Sequence, residues 1–186
     1  MGGTDLAPER QIAGVLLIAP MFIFAVGGIL FTGRAIWKWP IGQTPVYLRW
    51  ERSFVVTALI VNVLGLVILE GLLSAAGDTI IARLALVSYL MSAVVVLVAE
   101  MSYLHNRDWA YPQIVLHVVI AFLSQAAFGA ALLQTGLVAS WVGWVTIVWN
   151  VAWLVVLAIA SPSNMYFPAL HHVAPLFIGI SLLIRA

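Results

Sequence analysis

The chain has 186 residues, of which 64% are hydrophobic and only 8% charged, with a formal net charge of +1 and a mean hydropathy of +1.12. Soluble domains carry about 25% charged residues. Composition therefore predicts an integral membrane protein in contact with the lipid bilayer, and the near-neutral balance without a polybasic run argues against nucleic acid as a partner. Cysteine is absent, which excludes disulfides, thiolate ligands, iron–sulfur clusters and cysteine nucleophiles. Any metal would have to be held by His, Asp, Glu or backbone oxygen.

Met1 to Arg10 carries acidic residues and a proline but no basic stretch, so no cleaved signal peptide is expected. Hydropathy then divides the chain into runs at Ile12 to Phe31, Ser53 to Leu73, Thr79 to Glu100, Gln113 to Leu133, Val138 to Ala160 and Tyr166 to Ile184. Each is near the roughly 20 residues that cross about 30 Å of hydrocarbon as a helix. The expected fold is all-α, a single polytopic domain of about six transmembrane helices. Ser74 to Asp78, Gln134 to Gly136 and Ser161 to Asn164 read as tight turns.

Thr32 to Arg52 is the longest connection and mixes Arg34, Lys38, Arg49 and Arg52 with Trp37, Trp39, Tyr47 and Trp50. Rings at the headgroup layer and cations reaching water suit such a mixture, so this loop is expected to lie along the membrane surface. Its side is termed side B. Arg107 falls there too, against Arg10, Arg83 and Arg185 for side A, and the excess of cations makes side B cytoplasmic with both termini on the other side. The tryptophan-rich fifth run has the general look of small bacterial polytopic proteins, and a multi-pass protein of a bacterial or archaeal cell membrane is expected. No internal repeat is visible.

Alternating spans place the ionisable groups. The third run ends at Glu100 on side B, the fourth begins there and carries His117 a few residues in, and His171 and His172 lie roughly 8 Å into the sixth at 1.5 Å per residue. His105 occupies the intervening loop. Ionisable groups in the apolar layer mark function by default. Pro175 cannot donate to the carbonyl of His171, which frees that oxygen for a side chain, water or ligand and predicts a bend. His117, Ser124, Gln125 and Phe128 share one face of the fourth run, and Thr146, Trp149, Asn150 and Trp153 share one of the fifth.

Three functional readings follow. The sharpest is haem or metal binding for membrane redox chemistry. His117 opposite His171 or His172 would be the axial pair of haem b, or Glu100, His105, His117 and His171 a divalent-metal set; no HExxH-like motif accompanies them. A second reading is a cofactor-free membrane isomerase or hydrolase acting on a lipid-like substrate, with Glu100 and His117 as its acid–base pair and Gln125, Asn150 and Trp153 as contacts for a lipid-soluble small molecule. The third is a small transporter, sensor or subunit of a membrane complex or homo-oligomer, with Gly27, Gly28, Ala126, Gly129 and Ala130 as close-packing positions. Against all three stand plainer readings: a hydrogen-bonded helix end for His117 and His171, an interfacial ring for His172, and a helix-packing seam for Asn150. Glu70, near side A, is expected to pair with Arg83 rather than to join a proton path with Asn62.

Overall fold

A computed structural model describes residues 6–78, 80–103, 107–160 and 167–185. Its order is α1 (Ala7–Ala35), a 3₁₀ turn (Pro40–Gln43), α2 (Pro45–Ala75), α3 (Ile81–Ser102), α4 (Arg107–Thr135), α5 (Ser140–Ala160), a 3₁₀ segment (Phe167–His172) and α6 (Val173–Ile184). Among the described residues there is no strand. The chain is a multi-pass membrane protein: α1 to α5 each contain a stretch long and apolar enough to cross a bilayer, and Leu170–Ile184 is a shorter apolar helix.

α1 and α4 also extend past their predicted runs, and two further departures from the hydropathy reading have a local cause. α2 begins at Pro45, two turns before the apolar run. Thr44 is its N-cap, the Thr44 hydroxyl accepting from the Tyr47 amide at 3.3 Å, and proline occupies the first turn. A hydroxyl cap followed by proline is a helix start signal independent of hydrophobicity. As a result Arg49, Trp50, Glu51 and Arg52 are helical, and the surface loop contracts to the 3₁₀ turn and its flanks.

The sixth crossing is broken. Phe167–His172 is 3₁₀ and only Val173–Ile184 is α-helical. Their rises of about 12 Å and about 18 Å together approach the roughly 30 Å of a hydrocarbon core. With its proline nitrogen in the first α-helical turn, Pro175 loses no donor that the helix would have used. A change of helix type, from 3₁₀ to α, stands just ahead of that proline.

α6 runs antiparallel to α1. Arg10 Nη1 donates to the carbonyl of Arg185 at 3.3 Å at one end, and the Phe24 and His172 rings lie 5.1 Å apart at the other. Between them the backbones touch: a Cβ added to Gly179 would sit 2.7 Å from the Gly14 carbonyl oxygen. α4 and α5 meet in the same way, a Cβ on Gly129 falling 2.9 Å from the carbonyl oxygen of Gly143. Small residues at crossings are how membrane helices gain contact where lipid tails remove the hydrophobic drive. Gly129 thus acts as a packing position, whereas Gly28 faces open space.

Leu66, Leu69, Leu72 and Leu73 of α2, with Leu17, Leu132, Ile178 and Leu182, are almost completely buried and fill the side A half of the bundle. Near that face Arg83 Nε approaches Glu70 Oε1 at 3.4 Å, the pairing expected from the sequence. Asp78, Thr146 and Ser181 are also buried in this half, while Glu51, Arg52, Glu100, His117, His171 and His172 are buried in the other.

Candidate functional site

Glu100, His117, His171 and His172 line a single small cavity together with Phe24, Val55, Val56, Leu59, Val96 and Ile114. The four polar residues come from α3, α4 and the last two positions of the 3₁₀ segment. All four are buried. The cavity measures about 30 Å³, and because one water requires about 10–15 Å³ on this measure, it has room for about two.

His117 is held by a short polar ladder. The Ser92 hydroxyl donates to the carbonyl of Tyr89 one turn back at 2.8 Å and lies 3.1 Å from His117 Nδ1. A hydroxyl has one proton, and a carbonyl can only accept. Both bonds form together only when Nδ1 carries hydrogen and donates to Ser92. Nε2 is then the ring's lone-pair nitrogen, and it is buried with no hydrogen-bond partner among the described residues. Tyr89 flanks the ring edge-on at 5.7 Å, and its hydroxyl accepts from Asn62 Nδ2 at 2.7 Å.

The adjacent histidines are placed by the break in the sixth crossing. Gln125 Nε2 of α4 donates to the carbonyl of His171 at 2.7 Å, and Trp149 Nε1 of α5 donates to that of Leu170 at 3.0 Å. Backbone that leaves the α-helical pattern at membrane depth must find such partners in the protein. His171 meets the His117 ring edge-on at 5.4 Å and lies 4.0 Å from the His172 ring.

This packing bears on the haem and metal expectations. The His117 and His171 rings are in edge contact at 5.4 Å and the cavity beside them has room for about two waters, so this geometry gives the haem expectation no support. Among the described residues no group of three or more His, Asp or Glu is disposed to hold a metal ion. His105 lies outside the described residues. Glu100, instead of joining the imidazoles as a ligand, accepts from Arg52 Nη1 at 3.1 Å.

Gln125, Asn150 and Trp153 do not line the cavity. Gln125 braces the His171 backbone from behind. The Asn150 amide donates to the Thr146 carbonyl of its own helix at 2.7 Å, and its Oδ1 is buried with no hydrogen-bond partner among the described residues. An asparagine within a helix reaches the carbonyl one turn back more readily than a distant partner. Trp153 stacks edge-on with Trp149 at 5.8 Å, next to the side chain that supports Leu170.

Sequence reading passed over the largest charged feature. Arg34 of α1 grips Glu51 of α2 through Nε at 2.7 Å and Nη2 at 2.9 Å. Arg52 binds the same carboxylate and reaches Glu100 of α3, with its guanidinium 4.4 Å above the Tyr103 ring. Glu51 is completely buried. The signal that locates these residues is the Thr44–Pro45 cap, since a helix starting there carries Glu51 and Arg52 into the bundle.

Comparison with protein families, with curated proteins and with solved structures found no match to this chain.

Proposed function

We propose that this protein is a cofactor-free membrane enzyme that moves protons on a lipid-soluble substrate, with His117 as base and then acid and Glu100 as its carboxylate partner. The observation that carries this reading is the Ser92 hydroxyl set 2.8 Å from the Tyr89 carbonyl and 3.1 Å from His117 Nδ1, an arrangement that favours hydrogen on Nδ1 and leaves Nε2 as a proton acceptor beside the cavity. In an isomerisation His117 Nε2 takes a proton from a substrate carbon and returns it to another carbon of the same molecule. In a hydrolysis it takes the proton of a water that attacks the substrate and delivers it to the leaving group. Glu100 shares the cavity wall and would stabilise the imidazolium formed in between.

The cavity admits about two waters or one small polar group. A lipid-soluble molecule would therefore present only its reacting end, with its tail among apolar side chains such as Phe24, Val55 and Val56. A transmembrane proton path finds less support, because buried leucines occupy the side A half.

Isotope incorporation tests the reading without a known substrate. Purified protein in nanodiscs of native lipid extract is incubated in D₂O or H₂¹⁸O, and the lipids are analysed by mass spectrometry. Carbon-bound deuterium in one lipid class indicates isomerisation and ¹⁸O indicates hydrolysis; either is expected to fall at least tenfold in His117→Gln. Labelling equal to protein-free nanodiscs, or unchanged in that variant, overturns it.

A further inference from the structure

The acid–base scheme uses Glu100 but not Arg34, Glu51 or Arg52, yet the four form one charge chain that ends on the cavity wall. Its members are unequally held. Both oxygens of Glu51 are engaged, Oε2 by Arg34 Nε and Oε1 by Arg34 Nη2 and Arg52 Nη2. Glu100 accepts at Oε2 from Arg52 Nη1. The fully buried Glu51 is therefore the fixed point, clamped bidentately from α1, and it holds Arg52 in place by one arm while the other reaches α3. A planar guanidinium can bridge two carboxylates in this way, whereas an ammonium cannot reproduce the fork.

Charge counting gives the chain a purpose. Two guanidiniums and two carboxylates are neutral only if both glutamates are ionised, and burial makes any imbalance costly. The groups facing Arg52 are Glu51 on its own helix, Glu100 from α3, Tyr103 at the C-cap of α3, and, through Glu51, Arg34 of α1; across the cavity stand His117, His171 and His172. Among the described residues Arg52 is the cation within ion-pair distance of Glu100.

We propose that Arg52, anchored by Glu51 and Arg34, is a positioning residue that keeps Glu100 an ionised carboxylate facing the cavity. Its purpose rests on the acid–base reading, since an ionised Glu100 is what a protonated His117 needs opposite it. Its test does not.

The full-length protein in nanodiscs is examined by infrared spectroscopy for the carbonyl stretch of a protonated carboxyl group at neutral pH. Wild-type protein is expected to lack any such band removed by Glu100→Gln. Arg52→Gln is expected to gain one, absent from the Arg52→Gln/Glu100→Gln double variant, while Arg52→Lys, which keeps the cation, gains less of it. An Arg52→Gln spectrum identical to wild type overturns the proposal. So does a wild-type band at neutral pH that Glu100→Gln abolishes, and that measurement needs no Arg52 variant to fold. Isotope labelling lost in His117→Gln alongside an unchanged Arg52→Gln spectrum would retain the acid–base reading and reject this one.

Discussion

The side-chain amide of Gln125 lies 2.7 Å from the backbone carbonyl of His171 and donates to it. That single bond ties α4 to the broken sixth crossing at the point where 3₁₀ geometry gives way to α6. The acceptor belongs to the 3₁₀ segment, ahead of the α-helical turn in which Pro175 lies.

Gln125→Leu should therefore leave a buried carbonyl without its partner. The expected loss is about 1–3 kcal/mol, measured as a lower unfolding midpoint in mild detergent. Pro175→Ala should cost less, because a first-turn residue has no intrahelical acceptor to supply. A Gln125→Leu midpoint equal to wild type would show that the bond contributes nothing.

Gly179 and Gly28 offer a contrast on packing. Gly179→Val forces side-chain atoms against the Gly14 carbonyl and is expected to destabilise by about 1–3 kcal/mol or more as α6 is displaced from α1. Gly28→Ala, with nothing within 4 Å of the new Cβ, should be neutral or gain up to about 1 kcal/mol from helix propensity. Unfolding midpoints of the two variants in the same detergent check both.

Two ion pairs differ in environment. Glu51→Leu removes the fixed point of the buried chain, strands the Arg34 guanidinium and leaves Arg52 with Glu100 alone, for an expected loss of about 3–5 kcal/mol. Glu70→Gln breaks a pair whose arginine is 66% exposed and whose separation is 3.4 Å, and should cost about 0–1 kcal/mol. Similar losses for the two would contradict the burial argument.

The ring state of His117 is open to direct observation. Nitrogen NMR of ¹⁵N-histidine-labelled protein should report hydrogen on Nδ1 and a bare Nε2. Ser92→Ala removes the acceptor that selects this form, and the His117 signal is expected to move toward a mixture of the two neutral tautomers. A wild-type spectrum with hydrogen on Nε2 would remove the base from the proposed scheme.

Individual residues show how far sequence reading reached. Alternating spans put Glu100, His117, His171 and His172 near one depth, because depth follows from residue count and helical rise, and all four line one cavity. With Pro175 four positions on, an available His171 carbonyl is legible in the sequence, whereas Gln125 as its partner is not. Ser92 and Tyr89 looked like ordinary residues of an apolar run. Their importance arises only when α3 and α4 pack and bring Ser92 within 3.1 Å of His117.

Glu51 and Arg52 were hidden by a different cause. Hydropathy weights apolar side chains, so a helix start written in Thr44 and Pro45 fell inside an apparent loop. Sequence alone determined the membrane-spanning all-α class, the approximate spans and the layer in which the ionisable groups collect, since these depend on composition and rise per residue. Tertiary structure decided which of those groups touch, which side chain faces each imidazole and that Arg52 reaches Glu100, because each depends on the rotation and close approach of helices distant in the chain.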